Sequence, residues 1–209
     1  HFDEFAETVT KQFNLNSNDL VIDIGSNVGI LLNAFKKREV KVLGIDPAKN
    51  ICQIANKKGI KTLNSFFNKS ICNKIEKVFG KAKVITGTNV FAHIDDLHDL
   101  FRNIKKILDR RKGIFIVEVP HFLNLLNDLE YDTIYHEHLS YITIKPLTLF
   151  LKIFNLEIFK IEKKDIHGGS IRIFISHIKN YPIEKSVSKV MQEELNKKVN
   201  NKKVLLKFA

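Results

Sequence analysis

The chain has 209 residues, 44% of them hydrophobic, with 34 Lys and Arg against 23 Asp and Glu and a formal net charge of +11. That length suits one α/β domain with a good core and some extra chain, and no apolar run approaches the ~20 residues that span a bilayer. The lysines are scattered beside asparagines, as in Asn56-Lys57-Lys58, and are not interleaved with aromatics, so neither a membrane nor nucleic acid is the expected partner.

The elements follow in chain order. Phe2, Phe5, Val9 and Phe13 share one helical face and predict a packed lead-in helix. Leu20–Ile24 reads as a first strand, followed by a helix from Ile30 to Lys37. Lys41–Ile45 is the second strand, and Ile60–Leu63 a short third after a helix ending at Gly59. A helix over 69–79 turns Ile71, Ile75, Val78 and Phe79 inward and stops at Gly80. Val84–Thr88 is the fourth strand. Leu97, Leu100, Phe101, Ile104 and Leu108 mark an amphipathic helix, and Ile114–Val119 is a fifth strand stopped by Pro120. Strands alternating with helices predict a parallel sheet. Residues 121–146 read as irregular. A helix over Pro146–Phe154 and two strands, Leu156–Ile161 and Ser170–His177, come next; a close-coupled pair of this kind can be antiparallel. Ile183, Val187, Met191, Leu195 and Val199 predict a tail helix.

The first two strand ends carry a cofactor motif. Val21-Ile-Asp23-Ile-Gly25-Ser26-Asn27-Val-Gly29 is a buried strand, a glycine turn and a helix start. Asp46, 17 residues beyond Gly29, ends the next strand, where an acid can accept from ribose hydroxyls. Dinucleotide sites place a glycine at the middle of the turn, where a pyrophosphate touches the backbone. Asn27 stands there instead, which favours the phosphate-free S-adenosylmethionine over NAD or FAD. Gly25 and Gly29 would give room for its tail and ribose, and the helix N-terminus would favour its carboxylate. Asp23 could orient Ser26 or the cofactor's amino group. Pro47 and Phe66 complete the cofactor-binding candidates. Cys52 and Cys72 form no C-x-x-C pair and read as reduced thiols of a cytoplasmic protein.

Two segments bring acid–base groups. Asn89 and His93 follow the fourth strand, at the sheet edge where ligands bind. Asp132-Thr-Ile-Tyr135-His136-Glu137-His138 gathers a phenol, imidazoles and acids suited to proton transfer near neutral pH. His136 and His138 also form half of a metal site, which His167 or Asp132 would have to complete; no metal is expected. His167-Gly168-Gly169-Ser170 reads either as a plain turn or as a loop folded over a substrate.

Val21 to Asn27, Gly44-Ile-Asp-Pro-Ala48, Asn89-Val-Phe-Ala-His93, Glu118-Val-Pro120, Asp132 to Tyr141 and His167-Gly-Gly-Ser-Ile-Arg172 occur in this order. Together they resemble the class I S-adenosylmethionine-dependent methyltransferases that act on nucleotide-linked deoxysugars, the sugar 3-C-methyltransferases, over nearly all of residues 15–178. The resemblance implies a Rossmann-like fold: a mostly parallel seven-stranded sheet, helices on both faces and one antiparallel strand. It implies C-methylation of a 4-keto nucleotide sugar through an enolate, with S-adenosylhomocysteine as product. By position His138 is the base, Tyr135 and Glu137 line the substrate pocket, and Asn89 and His93 sit beside the reacting end. Members of this family carry an amino-terminal zinc module and a carboxy-terminal domain. The expected organisation is therefore a lead-in helix (1–14), the methyltransferase domain (15–178) and a helical extension (179–209) leading toward that further domain. His121 stands where such proteins commonly carry tyrosine. Methylation of O or N on another small molecule, and a non-catalytic or nucleic-acid-associated binding domain, are the alternatives.

Overall fold

The computed structural model describes residues 1–166 and 168–209. Its seven strands are β1 (Leu20–Ile24), β2 (Lys41–Asp46), β3 (Thr62–Asn64), β4 (Val84–Thr88), β5 (Ile114–Pro120), β6 (Leu156–Lys164) and β7 (Ser170–His177). They form one sheet in the order β3-β2-β1-β4-β5-β7-β6. β1 pairs in parallel with β2 and β4, and β2 with β3, whereas β6 and β7 are antiparallel. This is the expected fold, a mostly parallel sheet with one late strand reversed. All five residues of β1 are buried, so both faces of that central strand are covered, as parallel strands require.

The chain divides into two compact units. The first comprises residues 1–87 and 98–115. It holds α1 (Phe2–Gln12), α2 (Ile30–Lys36), α3 (Lys49–Lys57), α4 (Lys69–Phe79) and α5 (Leu97–Ile107). In α5, Leu100, Phe101, Ile104 and Ile107 are buried, each burial contributing about 1.5–3 kcal/mol. Packing therefore holds this helix more than propensity does. Asn68 caps α4 by accepting from the Ile71 amide, and Gly80 follows its end at φ 81°. One detail of α4 differs from the sequence reading. Cys72 and Ile75 face inward, whereas Val78 is 63% exposed. Both cysteines are free and buried, and burial pushes the Cys72 thiol up to about 12.

The second unit comprises residues 88–97 and 116–209. The segment expected to be irregular contains α6 (Phe122–Asp128) and a 3-10 turn, Tyr131–Thr133. α6 is too short to show periodicity, and Leu123 and Leu125 are its buried residues. α7 (Ile144–Lys152) starts two residues before the expected Pro146, which sits within the first turn, where its missing N–H costs nothing. The tail is two helices, α8 (Lys185–Asn196) and α9 (Lys202–Phe208). The predicted apolar face of α8 is displaced. Ile183 and Leu195 are both 61% exposed, while Val187, Val190 and Glu194 are buried.

Glu194 is buried because it has partners far away in sequence. Its Oε1 accepts from His121 Nε2 at 2.9 Å, and its carboxylate accepts from the Ile144 amide at the start of α7. His121 is itself 1% exposed, and its amide donates to the Gly169 carbonyl. A second buried pair lies on the sheet: Arg172 of β7 donates from Nε to Glu118 Oε2 of β5 at 2.8 Å. Among the described residues no helix is long and apolar enough to cross a membrane.

Candidate active site

The first unit presents the strand-end motif. Gly25, Asn27 and Gly29 all take positive φ (67°, 49° and 78°), which makes the turn between β1 and α2 tight. The Asn27 amide donates to Asp46 Oδ2 at 3.0 Å, and the Ala48 amide to Asp46 Oδ1 at 2.9 Å. Two backbone donors therefore fix the Asp46 carboxylate, and each oxygen keeps a lone pair for further donors. Asn64 Nδ2 donates to the carbonyls of Asp46 and Pro47 and holds the segment after β2. Phe66 lies beyond β3 with 73% of its surface exposed.

Asp23 is 3% exposed, and its one side-chain partner among the described residues is the Thr86 hydroxyl, which donates to Oδ1 at 2.6 Å. Burial, helped by the nearby Asp46 charge and opposed by Thr86, pushes its carboxyl up to about 7. It is a buried acid short of a cation.

Two expectations for this motif change. The Ser26 hydroxyl is buried without a hydrogen-bond partner, and a Cβ on Gly44 would lie 2.4 Å from it. Ser26 thus packs over β2, and Asp23 bonds Thr86 instead of Ser26. A Cβ on Gly29 would lie 2.8 Å from Ile60 Cγ2. The absent side chain there serves packing on Ile60.

The second unit holds a cavity of about 560 Å³. The end of β5 supplies Val119 and Pro120. The segment after β4 supplies Asn89, Ala92 and His93, and the loop after α6 supplies Glu130, Asp132, Thr133, Tyr135 and His138. Asn89 turns at φ 55°, its amide donating to the Glu118 carbonyl at 2.8 Å. It is a turn residue and a pocket residue at once. The loop grips the segment after β4 through two bonds: the Leu139 amide donates to the Ala92 carbonyl at 2.8 Å, and His93 Nδ1 bonds the Glu137 carbonyl at 2.9 Å.

The imidazoles are oriented by backbone. His138 Nδ1 lies 2.7 Å from the Thr133 carbonyl. A carbonyl oxygen only accepts, so Nδ1 carries the hydrogen and Nε2 is the basic atom. The same logic puts the hydrogen of His93 on Nδ1. The two rings lie 4.9 Å apart. The Tyr141 hydroxyl also donates to the Thr133 carbonyl, at 3.3 Å.

Of the expected residues, Asn89, His93, Tyr135 and His138 line this cavity together. Glu137 does not: its side chain is 62% exposed and 4.0 Å from His136, and its contribution is the carbonyl that holds His93. The His136 side chain is 90% exposed. Among the described residues no group of three His, Cys, Asp or Glu could hold a metal; His167 lies outside the described residues. Gly168 and Gly169 do permit close approach, but by side chains of this chain. A Cβ at Gly168, where φ is 72°, would overlap Glu130, and one at Gly169 would overlap Asn124. Sequence reading missed Glu130 and Thr86, whose positions only the folded chain reveals. Burial and the carboxylates of Asp128 and Asp132 push the Glu130 carboxyl up.

The family model described as "Methyltransferase domain" matches residues 2–161. The chain belongs to that family, and its class I fold is the one that uses S-adenosylmethionine as methyl donor. The C-methyltransferase NovU of Streptomyces niveus is 31% identical over 195 residues, covering 93% of this chain and 46% of NovU. The chain thus spans about half the length of that curated relative. Among solved structures, an S-adenosylmethionine-dependent methyltransferase from Clostridium acetobutylicum is similar at TM-score 0.63 and 15% identity, covering 84% of this chain and 90% of that one. Magnesium protoporphyrin IX methyltransferase from Synechocystis with bound S-adenosylhomocysteine is similar at TM-score 0.61 and 13% identity, covering 83% and 82%.

Proposed function

We propose that this methyltransferase C-methylates a 4-keto sugar linked to a nucleoside diphosphate, through an enolate. The carrying observation is the orientation of His138. Its Nδ1 hydrogen is engaged by Thr133, which leaves Nε2 basic in a cavity that also holds Tyr135, Asn89 and His93. Oxygen and nitrogen acceptors already own a lone pair. Carbon beside a ketone becomes nucleophilic only after a proton leaves, so carbon chemistry needs an oriented base. The similarity to a C-methyltransferase supports the same choice.

The first unit's strand ends fit the methyl donor. Asp46, fixed by two amides, would take the ribose hydroxyls, with Gly25, Ser26, Asn27 and Gly29 forming the turn beside it. Asp23 would pair with the ammonium of the methionine tail, and Pro47 and Phe66 would meet the adenine. When bound, S-adenosylmethionine supplies an electrophilic methyl group. In the second unit His138 removes the substrate proton. The developing enolate oxygen needs a donor aimed at it. The Asn89 side-chain amide is that donor, because His93 spends its Nδ1 hydrogen on the Glu137 carbonyl. The direct test is methyl transfer to a nucleoside diphosphate 4-keto-6-deoxyhexose. Transfer to oxygen or nitrogen acceptors, with none to this sugar, would sink the reading.

Asp23 gives the cofactor assignment a pH signature. Its carboxyl ordinarily titrates at 3.8 and stands at about 7 in the folded protein. Below about 7 it is mostly neutral and offers no charge to an ammonium. Affinity for S-adenosylhomocysteine should therefore rise with pH and level off above 7, with the constant at pH 6 weaker than at pH 7.5 by roughly tenfold. Stability of the ligand-free protein runs the other way. The folded state keeps a proton that the unfolded chain gives up, so stability drops as pH climbs from 3.8 to about 7. Calorimetric titration at the two pH values checks this; an Asp23→Asn variant that keeps the full pH dependence would contradict it.

A further inference from the structure

Glu194 lies on α8, beyond residue 161 where the matched family model ends, yet its carboxylate is buried. Taking an anion out of water is costly, and the donors around it offset that cost. Its Oε1 meets His121 Nε2 at 2.9 Å, and because a carboxylate only accepts, that nitrogen carries the hydrogen. The Ile144 amide reaches both oxygens, at 3.0 and 2.9 Å, and the start of α7 favours a negative charge. A buried pair of this kind adds little stability over apolar side chains of the same volume. What it does supply is a fixed place for each partner.

His121 joins that carboxylate to the substrate cavity. Its carbonyl accepts from the Asn124 and Leu125 amides at the start of α6, and its own amide donates to the Gly169 carbonyl at 3.1 Å. Pro120, the residue before His121, and Gly168, the residue before Gly169, both line the cavity that holds His138. We infer that Glu194 is a positioning residue for the substrate cavity, acting through His121 to hold the Pro120 and Gly168 walls in place; this rests on the keto-sugar reading above. The helix that carries it then works as part of the catalytic unit, although it lies past the matched domain.

The test uses the full chain as wild type, Glu194→Met and Glu194→Gln, below the melting of all three. Methionine keeps the volume and removes the acceptor, whereas glutamine keeps one acceptor oxygen. The first readout needs no substrate: residue-resolved amide hydrogen exchange at His121, taken relative to the amides of β7 in the same unit. Glu194→Met should lower that relative protection roughly tenfold, as loss of a hydrogen bond would, and Glu194→Gln should keep most of it. The second readout is exchange of the hydrogen beside the ketone in deuterated water, with S-adenosylhomocysteine and thymidine diphosphate 4-keto-6-deoxyglucose. Glu194→Met should lower kcat/KM for this sugar by roughly 10- to 100-fold, with S-adenosylhomocysteine bound as before and glutamine restoring the rate. If Glu194→Met does not fold, His121→Phe removes the same contact from the other side and carries the same expectations. A purely structural role would lower the melting temperature and leave His121 protection, KM and kcat at wild-type values, which would overturn the proposal. His121 protection that depends on Glu194, in a protein that exchanges no hydrogen of this sugar, would uphold the joint and overturn the keto-sugar reading alone.

Discussion

Replacing His138 with alanine is expected to lower methyl transfer and hydrogen exchange by roughly 10²–10⁴-fold, the usual weight of a positioned general base. The structure says why this loss should be chemical. His138 is half-buried in a loop, and its ring bonds the backbone at the Thr133 carbonyl. Losing that bond costs about 1 kcal/mol of stability, a small part of the roughly 5–15 kcal/mol that holds a domain together. Binding of S-adenosylhomocysteine, assigned to the other unit, should be unchanged. His136→Ala serves as the control, because that side chain is 90% exposed. If His138→Ala turns over like the wild type, or if His136→Ala is the inactive variant, the base is misassigned.

Arg172→Ala should cost about 3–5 kcal/mol of folding stability, the usual result of removing one partner from a buried ion pair. Arg172 is 2% exposed and Glu118 1%. The guanidinium meets Glu118 Oε2 at 2.8 Å from Nε and at 2.7 Å from its terminal nitrogen. On the antiparallel ladder Arg172 also stands opposite Glu162, whose Oε2 is 3.6 Å away. The substitution leaves Glu118 without its cation and opens a void where a long side chain packed. Thermal melting should fall by roughly 10 °C for a chain of this size. Activity should fall too, because the Glu118 carbonyl holds the Asn89 turn. A double variant, Arg172→Met with Glu118→Leu, should recover much of the loss, since an apolar replacement of a buried pair is often near neutral. Melting of Arg172→Ala within a degree or two of the wild type would show that the pair carries no such weight.

Much of the fold was legible because buried strands write themselves as apolar runs. β1, β4 and β7 begin and end where the sequence places them, and α4 spans the predicted residues. The reversed strand was legible from the short connection between β6 and β7. Where reading failed, long-range partners decided. Glu194 is a polar residue on a helix whose apolar periodicity pointed elsewhere, and its burial depends on His121 and the Ile144 amide. In the site, residue types were readable but roles of atoms were not. Glu137 and Thr133 act through their carbonyls, which every residue possesses, so no sequence signal marks them. At glycines 29 and 168 a side chain would meet Ile60 and Glu130, packing that only the folded chain reveals.

The Thr133 carbonyl accepts from both His138 and Tyr141, and this bears on how a mutational scan of the loop would read. The group that chooses the proton's place on His138 belongs to no side chain. Replacing the side chain at 133 removes only its hydroxyl's bond to the Glu130 carbonyl and leaves the main-chain oxygen where it is, so a scan would not detect the group that orients the base. Engineering of the pocket must therefore keep the path of the main chain from 133 to 138 as well as the side chains that meet the substrate.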